Sequence, residues 1–489
     1  MTEKPVPQLA VVGHPNKGKS SLVATLAEDD SVAIGADPGT TIRARAYPMR
    51  VDGRHLYTLI DTPGFQRARR VRAWLEERTR GEGASAADRP RLVADFLAEP
   101  EHERRFPDEC ELLRPIVEGA GILYVVDGGV PYSAEYEAEM EILRWTGRPS
   151  MAVINPIESR AHVAEWEAAL GQFFRVVRVI DALRADFATR RSLLLAFGEL
   201  EAGWREPIEA AVSALDADRG ARRRAAAREM AELIERALSL VVERRVGSEE
   251  LPDALSEELE QEYRSTLERL EAGHRRAVQQ IYGHHAIDAH PAELEHLEHN
   301  LFSEGTWLTF GLRRRDLVTM GAAGGAATGG AIDVAVGGAS LLVGLAVGAA
   351  IGGALGWVGA GRLAELRILD RPLGGRLARY GPSSNLNFPF VLLGRSRFHW
   401  LLVAERTHAM RKSLDLARAP ADSLPLTAGA RKGLEKSFRV LRRPRLAASA
   451  RAEALAELAD RIEEILEQDE RRENQAPFAP EGVTSDARP

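Results

Sequence analysis

The sequence predicts an α/β fold of alternating strands and helices in the N-terminal part of the chain, followed by a mainly α-helical region. Apolar runs suited to buried strands lie at 9–12, 56–60, 122–126 and 151–154. A glycine-rich loop follows the first of these runs directly, and an apolar helix-like segment follows the loop. After about residue 200 the composition shifts to Ala, Arg, Glu and Leu, which favours long helices.

The glycine-rich loop reads Gly-His-Pro-Asn-Lys-Gly-Lys-Ser over residues 13–20, and a strand before it and a helix after it are the setting of a phosphate-binding loop. Its backbone N–H groups and the following helix N-terminus suit an anion, Lys19 suits a bridge between the β- and γ-phosphates, and the Ser20 hydroxyl suits Mg²⁺. The alternative is an ordinary glycine-rich turn. The residues expected to hold the phosphates are Gly13, Asn16, Lys17, Gly18, Lys19, Ser20 and Ser21.

Two further segments complete the expected phosphate site. Asp-Thr-Pro-Gly over residues 61–64 ends the second apolar run, where Asp61 can hold the metal through water and the Gly64 N–H can meet the γ-phosphate. Thr41 lies between this segment and the glycine-rich loop, and its hydroxyl can complete the Mg²⁺ shell when the γ-phosphate is present. The predicted metal ligands are therefore Ser20, Thr41 and Asp61.

A phosphate-binding loop, then a threonine, then Asp-Thr-Pro-Gly, in this order and spacing, resemble the regulatory GTPases of the Era, Der and TrmE group. The resemblance covers residues 8–185 and implies a Ras-like α/β G domain that binds GTP or GDP with Mg²⁺ and hydrolyses GTP to GDP and phosphate. It implies catalytic roles for Lys19, Thr41 and Asn16, the last through a potassium ion as in TrmE-like proteins; the alternative for Asn16 is a loop residue without a ligand. Phe65 stands where signalling GTPases related to Ras carry a water-orienting glutamine, so we expect slow intrinsic hydrolysis.

The resemblance also implies a base-reading site, where this chain departs from the family pattern. The family's Asn-Lys-x-Asp stands here as Asn-Pro-Ile-Glu over residues 155–158. Asn155 is kept and Glu158 can accept from guanine, but Pro156 cannot lay an aliphatic stem across the base as lysine does. Asp-Ala-Leu falls where the family has Ser-Ala-Lys, so the Ala182 N–H is expected to reach the guanine O6; an ordinary strand-to-loop junction is the alternative. We therefore expect a guanine nucleotide bound with reduced selectivity.

Composition bounds the class of protein. The 489-residue chain is long enough for about two or three domains. Its single cysteine rules out an intrachain disulfide framework and suits a reducing compartment, and its net charge of −7 argues against coating of nucleic acid. The first residues carry no apolar signal segment, so we expect a cytoplasmic protein, with association to the inner membrane left open. Neither an Era-type RNA-binding module nor a TrmE-type terminal cysteine motif is evident, and no nucleic-acid partner is expected.

Two connections in the N-terminal part are informative. Residues 45–60 read as a hairpin that turns at Asp52-Gly53. Residues 65–118 make an unusually long connection before the third apolar run, with helical spacing over 67–78 and a second helix predicted around 90–97. Because this insertion follows the segment that senses the γ-phosphate, it is a candidate coupling device; a passive helical decoration is the alternative.

Beyond residue 200, amphipathic spacing predicts long helices over 208–244 and 255–282, and another over 452–468. The apolar runs 388–393 and 398–403 suit either short strands or buried helix. Six histidines match no compact metal-site spacing and have no cysteine beside them, which disfavours a metal site; they are His274, His284, His285, His290, His296 and His299.

Residues 317–361 are dominated by Gly and Ala and contain one charge, Asp333. Small residues recur there every four positions along two stretches: Gly321, Gly325 and Gly329, then Ser340, Gly344, Gly348, Gly352 and Gly356. On helices such stripes let two backbones approach closely. One interpretation is a glycine-zipper hairpin inserted in the membrane, with arginines at both flanks. The other is a hairpin packed inside a soluble helical core.

The predicted domain organisation is a G domain over 1–200, long helices over 201–316, the glycine-rich hairpin over 317–361, a helical region over 362–473 and a disordered tail over 474–489. The predicted function is GTP hydrolysis that switches the helical part at or near a membrane. The alternatives are a weakly hydrolysing nucleotide-binding scaffold, a soluble GTPase whose hairpin is a packed core, and membrane remodelling of the dynamin type. Expected partners are a guanine nucleotide, membrane lipid, an unidentified protein and a second copy in a nucleotide-dependent dimer.

Overall fold

The computed structural model of the chain describes residues 6–28, 32, 41, 43–51, 53–246, 252–284, 366–370, 376–407 and 426–473. The chain divides into two compact units. Unit 1 takes its described residues from 1–221, 283–287 and 405–412, and unit 2 takes the others.

Unit 1 is built on a six-stranded sheet. Its strands are β1 (Gln8–Val12), β2 (Arg45–Val51), β3 (Arg54–Asp61), β4 (Gly121–Asp127), β5 (Ser150–Asn155) and β6 (Val177–Val179). They lie in the order β2-β3-β1-β4-β5-β6. The pair β2–β3 is the antiparallel hairpin predicted from the sequence, and the other pairs are parallel. The predicted Ras-like G domain is thereby confirmed.

The helices of unit 1 cover both faces of this sheet. They are α1 (Lys19–Ala27), α2 (Ala68–Glu82), α3 (Arg89–Ala98), α4 (His102–Arg105), α5 (Pro107–Glu118), α6 (Ala134–Trp145), α7 (Val163–Leu170), α8 (Phe187–Gly198) and the first part of α9 (Ala202–Ser239). Alternate residues of β1 belong to different cores, with Leu9 and Val11 in one and Ala10 and Val12 in the other. A sheet buried on both faces explains why these strands are continuous apolar runs.

The parallel register sets the place of the site. Val11 of β1 pairs with Asp61 of β3 and with Leu123 of β4. The carboxyl ends of β1 and β3 therefore lie side by side, which brings the glycine-rich loop next to the Asp-Thr-Pro-Gly segment.

The insertion at 65–118 is helical, as its spacing predicted. It contains α2, a short 3₁₀ turn, α3, α4 and α5, and α3 matches the helix predicted around 90–97. Phe96 of α3, Phe106 between α4 and α5, and Cys110 of α5 are buried in the core on one face of the sheet. The insertion is therefore part of the G-domain core.

Unit 2 is mainly helical, with a small sheet. Its elements are the rest of α9, β7 (Val242–Val246), α10 (Pro252–Ile281), β8 (Leu366–Asp370), β9 (Arg376–Tyr380), α11 (Phe388–Ala404), α12 (Ala428–Leu441) and α13 (Ala448–Glu473). The strands form an antiparallel sheet in the order β7-β9-β8. The helix predicted over 208–244 was wrong at its C-terminal end, because the chain leaves the helix at Ser239 and enters β7.

The two apolar runs at 388–393 and 398–403 form one helix, α11. It is buried almost throughout and carries charge into the core, where Arg395 lies 2.6 Å from Glu271 and Arg397 lies 2.7 Å from Asp469. Pairing each guanidinium with a carboxylate offsets the cost of burying it.

The glycine-rich segment 317–361 and the tail 474–489 lie outside the described residues. Of the histidines considered above, His274 and His284 are described, and both are buried. Among the helices that the structure describes, none combines the length and the apolar character that a membrane crossing requires.

Candidate functional site

The glycine-rich loop joins β1 to α1 through a backbone that few side chains permit. Gly18 caps α1 with φ of +80°, and a Cβ on it would lie 2.2 Å from the Asn155 Nδ2. Asn16 has φ of +60°, a left-handed conformation that asparagine tolerates better than most residues. Backbone geometry is thus one reason for an asparagine at this position, and its potassium role stays a prediction.

Lys19 opens α1 and is almost fully buried, at 7 % exposed. Its ammonium donates a hydrogen bond of 2.9 Å to the His14 carbonyl. Burial lowers the pKa of Lys19 to about 8, although the carboxylates of Asp61 and Glu139 oppose this shift. A bound phosphate would favour the charged ammonium in the same way.

All three predicted metal ligands come together beside this lysine. The hydroxyls of Ser20 and Thr41 each donate to the Asp61 Oδ2 at 2.8 Å, and they lie 3.3 Å from each other. Burial raises the pKa of Asp61, against the effect of these hydrogen bonds and of Lys19. The Asp61 Oδ1 is buried without a hydrogen-bond partner. A compact set of hard oxygen donors with one uncommitted carboxylate oxygen fits Mg²⁺.

The Asp-Thr-Pro-Gly segment lies directly on the loop. A Cβ on Gly64 would lie 2.5 Å from the Pro15 nitrogen, so no larger residue fits there. The next residue, Phe65, donates its backbone N–H to the Gly13 carbonyl at 3.2 Å. Its ring is 1 % exposed and belongs to the core. Position 65 therefore anchors the segment instead of presenting a polar group to water.

The base-reading residues are only partly brought together. Asn155 donates to the Lys17 carbonyl at 3.2 Å and accepts from the Ala182 N–H at 3.0 Å, so it joins three loops. The Ala182 N–H is thus already engaged by Asn155. Glu158 is exposed. The assignment of Glu158 and Ala182 to guanine stays a prediction.

Sequence reasoning missed two acidic residues at this site. Glu139 of α6 is 2 % exposed, with one oxygen 2.9 Å from the His14 Nδ1 and the other accepting from the Tyr124 hydroxyl at 2.9 Å. Burial raises the pKa of Glu139, and these two hydrogen bonds oppose the shift. Asp127, at the end of β4, lies 3.8 Å from the Lys17 ammonium. The sequence did contain a signal for both residues: Glu139 is an acid among the buried positions of a helix, and Asp127 is an acid at the end of a buried strand.

A C-terminal segment around Thr407 also contributes to this part of unit 1, and the local sequence gives no signal for it. Thr407, which belongs to unit 1 although it follows α11 in the chain, donates its hydroxyl to the Leu183 carbonyl at 2.8 Å. Arg219 and Glu405, also of unit 1, form an ion pair of 2.9 Å. A C-terminal segment therefore packs beside Ala182.

Two family models match the chain. The model described as "Domain of unknown function (DUF3482)" matches residues 167–468, which is more than half of the chain. The model described as "50S ribosome-binding GTPase" matches residues 8–155. The second match spans the phosphate loop, the Asp-Thr-Pro-Gly segment and Asn155.

Curated relatives match the same N-terminal region. GTPase Der of Halorhodospira halophila is 40 % identical over 85 residues, which are 17 % of this chain and 18 % of that protein. GTPase Der of Aromatoleum aromaticum is 49 % identical over 65 residues, 13 % of this chain and 14 % of that protein. The chain thus spans less than a fifth of the length of these relatives.

Among solved structures, an Era protein of Aquifex aeolicus bound to GDP and AlF4⁻ is 19 % identical to this chain. The match covers 36 % of this chain and 51 % of that one, with a TM-score of 0.25. The similarity to Der GTPases, which belong to the group that the motifs predicted, is confirmed for the N-terminal domain by the family model and the Der relatives.

Proposed function

We propose a function for this chain from two facts: it belongs to the DUF3482 family, and it carries an N-terminal GTPase domain of the Era and Der type. The proposed function is hydrolysis of GTP to GDP and phosphate as a nucleotide-dependent switch. The observation that carries the proposal is the cluster of Ser20, Thr41 and Asp61 beside Lys19. Phosphoryl transfer needs all four groups, and Ser20, Thr41 and Asp61 come from three separate segments of the chain.

The residues of the site have separate proposed roles toward the phosphates and the metal ion. Lys19 and the backbone of the glycine-rich loop hold the β- and γ-phosphates, and Gly64 meets the γ-phosphate with its N–H. Ser20, Thr41 and Asp61 would hold Mg²⁺, which when bound neutralises charge on the phosphate oxygens. Thr41 and Gly64 are the groups that distinguish GTP from GDP, because both act at the γ-phosphate.

Hydrolysis is expected to be slow without a partner. The buried phenyl ring of Phe65 cannot orient water, and a cation at Asn16, potassium by analogy with TrmE-like proteins, is the proposed substitute for charge neutralisation. The same feature favours the second candidate, a scaffold that binds nucleotide and hardly turns it over. Single-turnover phosphate release separates the two, since the scaffold would release no phosphate faster than the Lys19→Ala variant.

Guanine selectivity is tested by competition of unlabelled GTP and ATP against a fluorescent GDP. We expect GTP to compete better than ATP, by a smaller margin than a family member with aspartate at position 158 would show. Asn155→Ala is expected to reduce the difference between GTP and ATP further, because it removes the hydrogen bonds to the Lys17 carbonyl and the Ala182 N–H. Equal competition by both nucleotides on the wild type would contradict guanine selectivity.

We also propose membrane association through residues 317–361, on the basis of their composition. The test is fractionation of the full chain with lipid vesicles, with GDP and with a non-hydrolysable GTP analogue. Gly344→Arg is expected to move the protein from the vesicle pellet to the supernatant, because a charge at a helix centre in lipid costs about 2.5 to 3.5 kcal/mol. A wild type that vesicles retain in neither nucleotide state would leave the packed hairpin as the interpretation.

A further inference from the structure

The insertion contacts the chain next to both γ-phosphate-sensing residues through one helix. Glu109 and Glu111 lie in the first turns of α5 and each accepts hydrogen bonds from backbone N–H groups. Glu109 binds the segment that follows Gly64, and Glu111 binds the segment that follows Thr41. The two carboxylates thereby connect one helix of the insertion to the segment after Thr41 and to the segment after Gly64.

Glu109 is the more deeply placed, at 1 % exposed. Its Oε1 accepts from the backbone N–H groups of Gln66, at 2.9 Å, and of Arg67. These groups lie at the N-terminus of α2, where backbone donors have no partner within the helix and the helix dipole favours an anion. Its Oε2 is buried without a hydrogen-bond partner. The carboxylate thus caps a neighbouring helix from inside the core.

The backbone after Gly64 is consequently fixed at three consecutive residues. The Phe65 N–H is held by the Gly13 carbonyl of the phosphate loop, and the next two N–H groups are held by Glu109. The Phe65 ring is buried in the core that also contains Phe96 and Phe106 of the insertion. A movement of Gly64 toward a γ-phosphate therefore acts on the phosphate loop and on α5 together.

Glu111 makes the matching contact on the other side. Its Oε2 accepts from the Ala44 N–H at 3.0 Å, directly before β2 and three residues after Thr41. The Thr41 hydroxyl is in turn held by Asp61. Thr41 is therefore held at its side chain by the metal-site aspartate, and the chain after it is held by α5.

We propose that Glu109 and Glu111 are positioning residues, through which α5 fixes Thr41 and Gly64 in the arrangement that GTP hydrolysis requires. The inference rests on the proposed GTPase function. GDP has no γ-phosphate, and the phosphate loop that binds it lies outside these two contacts. Loss of either carboxylate is therefore expected to impair hydrolysis and the distinction of GTP from GDP, while GDP binding is kept.

The test compares four variants of the full chain. Glu109→Ala and Glu111→Ala are expected to lower kcat for GTP about tenfold or more, because misplaced catalytic groups lose part of the rate advantage of orientation, with GDP affinity within about twofold of wild type. Glu109→Gln keeps one acceptor oxygen and should recover part of the loss. Glu118→Ala is the matched control, because this exposed residue ends the same helix; it should behave as wild type.

Amide hydrogen exchange provides a readout that does not depend on hydrolysis. Glu109→Ala should speed exchange in peptides that contain Gln66 and Arg67, and Glu118→Ala should not. If Glu109→Ala shows that faster exchange yet hydrolyses GTP as the control does, the contact is only structural and the inference is overturned. If the wild type hydrolyses no GTP above the Lys19→Ala level, the GTPase proposal itself fails and the positioning role fails with it.

Discussion

Acidification from about pH 6.5 to about pH 5 is expected to lower the free energy of unfolding of unit 2 by about 3 kcal/mol. The cause is a pair of buried histidines, His274 of α10 and His399 of α11, which are 4 % and 1 % exposed. Burial lowers the pKa of His274 to about 4 and that of His399 to about 3, and the neighbouring charge of Arg275 lowers both further.

The magnitude follows from proton uptake. In the unfolded chain each histidine takes up a proton near pH 6.5, whereas in the folded chain both stay neutral until about pH 4 or below. The contribution of each histidine is therefore complete well above pH 6.5, and it falls with pH at a rate that approaches about 1.4 kcal/mol per pH unit near pH 5. Burial raises the pKa of Asp469, which acts in the opposite direction.

The assay is urea unfolding of the full chain at about pH 7, 6 and 5, followed by amide hydrogen exchange in peptides of α10 and α11, because the seven tryptophans of the chain do not report on unit 2 alone. The matched variant is His274→Leu, which removes one of the two titrating groups and leaves His399 in place. It should halve the loss of stability between about pH 6.5 and pH 5. Equal pH dependence in wild type and variant would refute the reasoning.

Three further outcomes concern the nucleotide site. Lys19→Ala is expected to weaken GTP and GDP binding about a hundredfold, since no other cation of the loop reaches both phosphates; wild-type affinity in a calorimeter would contradict the phosphate-loop assignment. In Gly64→Ala the new Cβ would meet Pro15 at 2.5 Å and displace the N–H that meets the γ-phosphate, so the variant should no longer distinguish GTP from GDP. Gly81→Ala is the control, because its Cβ meets no atom within 4 Å, and it should distinguish the two nucleotides as the wild type does. Asn16→Gly retains the left-handed backbone and removes the side chain, so it should abolish a several-fold faster hydrolysis in potassium than in sodium; equal rates in both salts for the wild type would make Asn16 a loop residue.

The elements that the sequence predicted well are those whose signal is local. The strands of unit 1 are apolar runs followed by loops with chemical motifs, and α10 and α13 have clear amphipathic spacing. The helix α11 was ambiguous because it is buried on nearly all sides, so it has no exposed face to produce a period. Its arginines, Arg395 and Arg397, lie between the two apolar runs, and only the tertiary fold shows that Glu271 and Asp469 pair with them.

The small sheet of unit 2 was not predicted because its pairing is distant in the chain. β7 reads Val-Glu-Arg-Arg-Val and continues a helical composition, and it becomes a strand by pairing with β9, where Val242 lies opposite Tyr380. In the candidate site, the groups that touch phosphate or metal are set by motif spacing. Their supports, such as Glu109 and Glu139, are ordinary acids of amphipathic helices, and only the tertiary fold shows what they contact.

The place of Thr407 in unit 1 has a consequence for how the protein is made. A ribosome delivers the chain from its N-terminus, so all six strands are available once β6 has emerged. Trp204 and Leu215, which fill the core on one sheet face, emerge next. The partner of the Leu183 carbonyl emerges only after α11. A nascent or truncated chain that stops at residue 200 therefore has the phosphate loop but lacks both the last core side chains and the segment that packs beside Ala182, and the G domain reaches its final form only late in synthesis.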